Sequence, residues 1–417
     1  MNQVVCEPFG QGDERAARHA DFVARYAVPV VNPDAPFPEL RWPRRREAKL
    51  RSLIGATRAR MRGPRLAYLD SHFPWKRSGF RYADALALLE ARPDTMFFSM
   101  YETGDTFPAP VHPLADFPII APTCGVTDAY GVFLNFTGGL LGLWDQEAGR
   151  PGPTDGLDIS PVLRRERIRL HAALHPGGGF TATEQGIERA RRLVHAADQV
   201  LSWVPQVIEQ VPGVVAIDPA AIDTHYFSYR ERDFTLRPIV MLFAADALPR
   251  KGLDTALAAM RLLTNEDVHL NVVGPHQPPT GWARSERVTF HGWLEPADLR
   301  RLHHSSHVFL SPVRVERSDS DDNGITDGFP TAAAGEAMSS GCLLVSSNPD
   351  RDRRALRPGV DHIEPDATAE SFATSIRGIL ADPGTAAAMA ATGAARVRQR
   401  LDVRVGVAQR LTCMGLY

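Results

Sequence analysis

Short apolar runs and segments with helical periodicity alternate along the second half of the chain. The apolar runs predict strands at Ile239–Ala244, His269–Val273, Val288–His291, His307–Ser311 and Leu343–Ser346. The periodic segments predict helices at Gly252–Leu263, Pro296–His303 and Thr331–Ser339 and over most of Ala369–Arg400. Strands separated by helices pair in parallel as βαβ units. The pattern therefore predicts an α/β fold in which helices cover a parallel sheet.

The first half of the chain shows the same alternation less clearly. Strands are predicted at Gln3–Glu7, Val28–Val31, Arg65–Leu69, Met96–Met100 and Phe117–Ala121. Helices are predicted at Asp13–Ala27, Tyr82–Ala91 and Glu184–Ala197, followed by apolar runs at Gln199–Val204 and Val214–Ile217. The stretch Pro108–Gly179 is rich in Gly, Pro and Thr and has poor periodicity. We predict long loops there, and long loops on such a scaffold often carry function.

The chain has 417 residues, too many for one hydrophobic core and enough for two domains of about 150 to 200 residues each. The polar, aperiodic segment 218–237 is the predicted linker. We predict a doubly wound, Rossmann-like domain at 1–222, a second at 223–402, and a terminal helix at about 403–417 that packs on the first domain. Ligands of such sheets bind beyond the carboxyl ends of the strands. The expected site is a cleft between two domains that close about the linker near Asp223.

Composition excludes several classes of function. Basic and acidic residues balance, 47 against 49, so no general affinity for nucleic acid is expected. The cysteines are Cys6, Cys124, Cys342 and Cys413, widely spaced and without a CxxC pair, which favours a reducing, cytoplasmic setting. We expect neither a signal peptide nor a membrane span, because no basic segment leads into an apolar core and no run reaches 18 apolar residues.

A pair of cations marks one predicted strand-to-helix turn. Arg250 and Lys251 stand directly before Gly252, where a helix begins. Only three of the 47 basic residues are lysine, and Lys251 is one of them, which suggests that an ammonium is needed there. A diphosphate at this turn would meet the lysine charge and the positive end of the helix. The alternative is a basic helix start that faces only water.

A second segment offers hydroxyl-binding groups at the next such turn. Gly328 permits close backbone approach to a ligand, and Thr331 can cap the following helix. Asp327 and Glu336 are acceptors suited to sugar hydroxyls, because each oxygen of a carboxylate can accept one hydroxyl hydrogen of a diol. Taken separately, either acid can equally be a solvated surface group.

Together these segments resemble the C-terminal domain of family 4 glycosyltransferases, which have the GT-B fold. The likeness is carried by PRKGLDTAL (249–257), LNVVG (270–274), VTFHGWLEPADLRRL (288–302), FLSP (309–312) and DGFPTAAAGEAMSSGCLLVSS (327–347). AADQVLSWV (196–204) and VVAIDPAAIDTHYF (214–227) resemble the segments before that family's linker. The resemblance is dense over roughly the last 220 residues and faint before them.

The resemblance implies a role for each residue of a donor site. Lys251 would bind the diphosphate of a nucleotide sugar, assisted by Arg250, and the backbone of Gly328, Phe329, Pro330 and Thr331 would face the sugar and phosphate. Asp327 would hold sugar hydroxyls as a catalytic group, and Glu336 would hold the ribose. Gly274, Gly292, Trp293 and Leu294 would line the base. Such enzymes retain the anomeric configuration and need no metal or other cofactor, since cations and helix dipoles stabilise the leaving nucleotide.

Three positions depart from the family pattern. Asp246 stands where an arginine is usual, so Arg250 must supply the second cation. Asp327 replaces the usual glutamate. Glu336 follows it nine positions later, instead of the usual eight. One residue is about 100° of helix rotation, so either Gly335 bulges out of the helix or the loop before Ala332 holds the extra residue. We favour the loop.

The acceptor side resembles the family less. The family pattern P-V-V-x-T-x-H-G matches Pro118–Gly125, with Cys124 in place of the histidine. Cys124 is either a nucleophile, which needs an activating cation or helix start, or a small side chain that leaves room for the acceptor. Glu102 is our first choice for orienting an acceptor, although it can equally be a turn residue. Tyr101 and an early loop with Gly10 and Gly12 complete the predicted acceptor side.

Three further patterns are weaker. Asp319–Gly324 begins like a calcium loop, but the position for the last ligand is Pro330, so a solvated loop is favoured. His303, His304 and His307 lack a further ligand cluster, and we predict no metal site. The segment 41–65 holds ten basic residues and one acid, with apolar residues at helical spacing. It is either a surface helix that packs on the domain or a peripheral contact with anionic membrane.

The sequence therefore predicts a retaining glycosyltransferase that moves a sugar from a nucleotide diphosphate sugar to a small cytoplasmic acceptor. Because the usual histidine is missing from Pro118–Gly125, a thiol acceptor is a further hypothesis beside a hydroxyl, and a membrane lipid is an alternative acceptor. The alternative from another class is a GT-B scaffold that has lost catalysis and binds a nucleotide or a partner protein.

Overall fold

The computed structural model describes residues 65–75, 79–101, 103–143, 157–175, 184–219, 221–280, 282, 287–318, 321–325 and 327–417. The predicted strands Gln3–Glu7 and Val28–Val31, the predicted helix Asp13–Ala27 and the basic segment 41–64 lie outside these residues. Two compact units are formed: a first unit of 65–217 with 407–417, and a second unit of 218–406. The domain limits at 222 and 402 stay predictions.

The first unit is built on seven parallel strands. They are β1 Arg65–His72, β2 Met96–Tyr101, β3 Val111–Pro113, β4 Val126–Val132, β5 Arg169–Leu174, β6 Gln199–Ser202 and β7 Val214–Ala216. The spatial order is β3-β2-β1-β4-β5-β6-β7. The strand order thus reverses between β1 and β4, which is the topological switch point of a doubly wound sheet.

Within the described residues, six helices accompany these strands. They are α1 Gly79–Ala91, α2 Phe117–Thr123, α3 Leu134–Leu140, α4 Ser160–Glu166, α5 Glu184–Ala196 and α6 Pro205–Gln210, and a 3-10 turn at Leu114–Asp116 precedes α2. The helix α5 has the apolar face that its periodicity predicts, with Ile187, Ala190 and Leu193 buried against the sheet.

Two predictions for this unit were wrong. Phe117–Ala121 is helical, because Pro118 occupies the first turn of α2, where a proline without an N–H is well accommodated. Pro108–Gly179 is not a set of long loops, since it contains two central strands and three helices among its described residues. The strand β4 was missed because Asp128 interrupts its apolar pattern. In the fold that carboxylate is buried and paired with Arg169 at 2.7 Å and His171 at 3.0 Å.

The second unit repeats the architecture with five parallel strands. They are β8 Ile239–Ala244, β9 Val268–Val273, β10 Val288–Gly292, β11 Val308–Ser311 and β14 Leu343–Ser346, in the order β10-β9-β8-β11-β14. A two-stranded hairpin, β12 Glu316–Ser318 with β13 Asp321–Ile325, lies in the connection after β11. The helices are α7 Leu253–Leu262, α8 Pro296–Ser305, α9 Ala332–Ser339, α10 Ala369–Ala381 and α11 Pro383–Arg400. The predicted doubly wound α/β fold is confirmed.

Both faces of this second sheet are buried. Met241 packs in one apolar cluster and its neighbour Leu242 in the other, and the same alternation separates Leu310 from Phe309. Strands covered on both faces read as continuous apolar runs. This burial explains why these five strands could be predicted from the sequence.

The last helix, α12 Val403–Cys413, begins in the second unit and ends in the first. Its end is held by polar contacts within the first unit. Arg410, 4% exposed, pairs with the buried Asp84 of α1. The Arg92 guanidinium donates to the Leu416 carbonyl at 2.8 Å, and the Gln199 amide donates to the Cys413 carbonyl at 2.9 Å. Among the helices of the described residues, none has the length and apolar character needed to span a bilayer.

Candidate active site

The connections that follow β8 and β11 touch at the carboxyl edge of the second sheet. A 3-10 turn, Pro249–Lys251, leads into α7 through Gly252, whose φ of +75° is left-handed. A Cβ at Gly252 would lie 2.1 Å from the Pro312 carbonyl oxygen, so only glycine permits this approach. The Arg314 amide also donates to the Arg250 carbonyl at 2.9 Å. Because β8 and β11 flank the switch point of this sheet, the cations lie where such folds bind ligands.

Lys251 and Arg250 both point to one carboxylate. Lys251 Nζ lies 2.9 Å from Asp327 Oδ2, and Arg250 Nε lies 3.3 Å from the same oxygen. The three side chains are only 12 to 18% exposed. The structure therefore brings three predicted site residues together, and it does not support the alternative of a basic helix start that faces only water. Asp246, which stands where the family usually has an arginine, is exposed and contributes no cation. Arg250 is therefore the second cation of this cluster.

The segment Gly328–Thr331 leads from Asp327 into α9. Phe329 is buried, while Gly328 and Pro330 are partly exposed. Thr331 caps the helix, its hydroxyl accepting from the Ala334 amide at 3.3 Å. The helix is continuous through Gly335, whose amide donates to the Thr331 carbonyl at 2.9 Å. Since the helix does not bulge, the additional residue between Asp327 and Glu336 lies in the loop, as expected.

Glu336 lies in the middle of α9 with its carboxyl in a desolvated position. The side chain is half-buried, and burial raises the pKa of Glu336 to about 8 from its ordinary value of 4.5. At neutral pH the carboxyl is therefore mostly protonated. A perturbed carboxyl at a sheet edge is typical of a functional site.

We expect Glu336→Gln to stabilise the protein at alkaline pH. The folded state holds a proton that the unfolded chain releases above pH 4.5, so wild-type stability falls as pH rises from 4.5 to about 8. Glutamine does not titrate, and the variant should gain about 2 kcal/mol at pH 9 and nothing near pH 4.5. Thermal unfolding across this range measures the difference. The exposed Glu370 provides the control variant Glu370→Gln, and parallel curves for wild type and Glu336→Gln would contradict the expectation.

The residues predicted to line the base lie at the ends of β9 and β10. Gly274 has a φ of +126°, and a Cβ there would lie 2.0 Å from the Ala245 carbonyl oxygen. The Gly274 amide donates to the Gly292 carbonyl at 2.9 Å, which joins the two strand ends. Trp293 and Leu294 follow directly and are half-buried. The predicted base-side residues thus share the carboxyl edge with Lys251.

The first unit has its own cluster at the carboxyl edge of its sheet. Phe133 follows β4 at the switch point and has a φ of 72°, a strained conformation for a residue that is not glycine. His175 follows β5, and its ring lies 4.9 Å from that of Phe133 and 4.1 Å from that of Trp203. Tyr101 ends β2, and its ring lies 4.8 Å from that of His72, the last residue of β1. This edge is where a ligand of the first unit is expected.

Sequence reasoning missed His175. It is 6% exposed, and neither ring nitrogen has a hydrogen-bond partner among the described residues. Burial, together with the charges of Arg410 and Arg81, holds the pKa of His175 well below its ordinary value, so the imidazole is neutral. The signal available in the sequence is a histidine followed by a glycine-rich segment, His175–Gly179, but the poor periodicity of Pro108–Gly179 predicts a loop there.

Cys124 lies at the opposite edge of this sheet. It follows α2 and comes two residues before β4, so it lies at the amino end of the strand and not beyond a carboxyl end. Burial raises the pKa of its thiol, which disfavours the thiolate. This position does not support the predicted catalytic role, whose basis was a strand at Phe117–Ala121. Glu102, Gly10 and Gly12 lie outside the described residues.

The histidines near the end of α8 and the described part of Asp319–Gly324 do not form a common site. The ring of His303 is fully buried between Phe227 and Phe309, which is a core position. The described part of Asp319–Gly324 belongs to β13. Within the described ranges, no group of three or more His, Cys, Asp or Glu side chains is placed to hold a metal ion.

Part of the second unit is similar in sequence to a known protein family. The sequence model of a family described as glycosyl transferases group 1 matches residues 237–382, which include Lys251, Asp327 and Glu336. No curated protein sequence matches the chain.

Three solved structures are similar in fold. HepE of Anabaena, in complex with UDP and glucose, has a TM-score of 0.62 at 15% identity, over 85% of this chain and 100% of that one. The sucrose-phosphate synthase of Thermosynechococcus elongatus has a TM-score of 0.58 at 15% identity, over 85% and 98%. The lipopolysaccharide outer core galactosyltransferase WaaB, in its apo form, has a TM-score of 0.53 at 12% identity, over 85% and 100%. Residues 237–382 of the second unit are thus similar to the glycosyl transferases group 1 family, and the chain has the GT-B fold of two doubly wound α/β domains.

Proposed function

We propose that the protein is a retaining glycosyltransferase that transfers a sugar from a nucleotide diphosphate sugar to a small cytoplasmic acceptor. The observation that carries the proposal is the cluster of Lys251, Arg250 and Asp327 at the switch point of the second sheet. These residues lie within the segment that matches the group 1 family. HepE, a protein of similar fold, binds UDP and glucose, and a nucleotide sugar is the corresponding donor proposed here.

The chemistry follows from where charge develops. The bond between the anomeric carbon and the diphosphate oxygen breaks, and the electron pair stays on that oxygen. Lys251 and Arg250 stabilise the charge that builds on the diphosphate, so the proposed reaction needs no metal. Asp327 accepts hydrogen bonds from sugar hydroxyls, and Glu336, mostly protonated at neutral pH, both donates to and accepts from the ribose hydroxyls. With retention, the new bond forms on the face from which the diphosphate leaves, and the departing phosphate oxygen is the base that takes the acceptor proton.

The acceptor is proposed to bind at the carboxyl edge of the first sheet. His175 is buried there and neither ring nitrogen has a hydrogen-bond partner among the described residues, and Phe133 and Trp203 supply apolar contact. The hypothesis of a thiol acceptor rested on a missing imidazole. Because His175 supplies an imidazole at this edge, a hydroxyl acceptor is favoured.

Donor turnover tests the proposal. The protein is incubated with UDP-, GDP-, ADP- and TDP-sugars and a panel of small hydroxyl acceptors, and release of nucleoside diphosphate is measured. Release that depends on acceptor and is lost in Glu336→Ala supports the enzyme. Tight binding of a nucleotide without release for any acceptor supports the alternative of a scaffold that has lost catalysis.

A further inference from the structure

Asp327 occupies the place of a counterion to both cations of the proposed donor site. Its Oδ2 is shared between Lys251 Nζ at 2.9 Å and Arg250 Nε at 3.3 Å, and its Oδ1 lies 3.4 Å from Arg250 Nη2. The carboxylate is 12% exposed, so the attraction is screened by water far less than in a surface ion pair. A diphosphate that binds these cations must therefore compete with the carboxylate for them.

A neighbouring ion pair lies beside this cluster. Arg314, from the connection after β11, donates two hydrogen bonds of 2.9 Å to Asp254 on α7. Those two side chains are 38 and 64% exposed. Both cations contact Asp327, which lies next to Gly328 on the loop before α9.

Building on the proposed function, we propose that Asp327 is a competitor of the diphosphate that selects nucleotides carrying a sugar. The carboxylate neutralises Lys251 and Arg250 until the donor binds, and then gives them up. A nucleotide sugar compensates the released carboxylate, because sugar hydroxyls donate hydrogen bonds to it. A nucleoside diphosphate lacks the hydroxyls of the transferred sugar. The Asp327 carboxylate then lies beside the negatively charged diphosphate without a compensating hydrogen bond. Asp327 therefore weakens binding of the product and speeds its release.

Replacing Asp327 with asparagine tests this selection. The isosteric amide has no charge to compete, so we expect Asp327→Asn to bind the nucleoside diphosphate about tenfold more tightly than wild type, a change of about 1.4 kcal/mol. Affinity for the matching nucleotide sugar should stay equal or fall, since a hydroxyl acceptor is weakened. The ratio of the two affinities therefore shifts by at least about tenfold towards the product. Calorimetric titration with UDP, GDP, ADP and TDP and their glucose conjugates measures both quantities.

Two variants serve as controls. Asp254→Asn removes one negative charge only three residues from Lys251 but outside the cluster, and its affinities should stay within about twofold of wild type. Asp327→Glu keeps the charge and should keep the wild-type preference for the sugar-bearing nucleotide. Thermal unfolding of each variant shows that it is folded.

The outcomes separate this inference from the proposed function. Tighter binding of a nucleoside diphosphate by Asp327→Asn, with no such change in Asp254→Asn, supports the inference. Equal or weaker binding by Asp327→Asn overturns it and leaves the transferase proposal standing. An equal gain in both variants also overturns it, because net charge alone would then explain the effect. If no nucleotide binds the wild type or Asp327→Asn, both the inference and the proposed donor site fail.

Discussion

Lys251→Ala is expected to reduce kcat/KM for the proposed donor by about 10²- to 10³-fold, because the charge on the leaving diphosphate would lose one of its two proposed cations. Lys251 is 18% exposed and held by Asp327, so an ammonium is fixed at this point before any ligand arrives. In the variant Asp327 keeps its contact with Arg250. Steady-state release of nucleoside diphosphate measures the change.

Two controls make the Lys251 result specific. Arg377→Ala removes an exposed cation of the same unit that pairs with Glu266, and its activity should match that of wild type. Lys251→Arg keeps the charge on a different geometry and should recover part of the loss. Activity of Lys251→Ala within tenfold of wild type would contradict the assignment of the diphosphate site.

Arg410→Met is expected to destabilise the first unit by about 3 to 5 kcal/mol, since it leaves the carboxylate of Asp84 buried without its partner. Arg410 is 4% exposed and its guanidinium also lies 5.8 Å from the centre of the Tyr130 ring. The melting temperature of this unit should fall by about 10 °C. Calorimetric unfolding, in which the two units can melt separately, measures the shift.

The matched control lies on the same helix. Arg404 is 36% exposed and pairs with Asp223 at 3.1 Å, so Arg404→Met should cost at most about 1 kcal/mol. A double variant, Asp84→Leu with Arg410→Met, removes both buried charges and should be more stable than Arg410→Met alone. Additive losses in the double variant would show that the two side chains act independently.

The second unit was predictable because its strands are buried on both faces. Ile239–Ala244 and Leu343–Ser346 were predicted with the bounds observed, since continuous apolar runs between helices have few other interpretations. The first unit was less predictable. The short apolar run at Phe117–Ala121 fits a strand or a helix equally well, and only the fold shows that Pro118 starts a helix.

The candidate site was predictable where it depends on local chain order. Lys251 and Asp327 stand next to strand ends that the sequence marks, and parallel strands bring such ends to one edge. Their direct ion pair was not predicted, because 76 residues separate them in sequence and the loop before α9 sets their distance. His175 was not predicted because the preceding strand β5 was not recognised. The polar His171 interrupts the apolar pattern of β5, and only tertiary structure shows that it is paired with Asp128 of β4.

The central claim is that the second unit binds the nucleoside diphosphate part of a nucleotide sugar between Lys251 and Glu336. A crystal structure with a bound nucleoside diphosphate tests it most directly. We expect diphosphate oxygens within hydrogen-bond distance of Lys251 Nζ and the ribose hydroxyls against Glu336, with Asp327 no longer paired to Lys251. A nucleotide bound away from the carboxyl edge of the five-stranded sheet would contradict the claim.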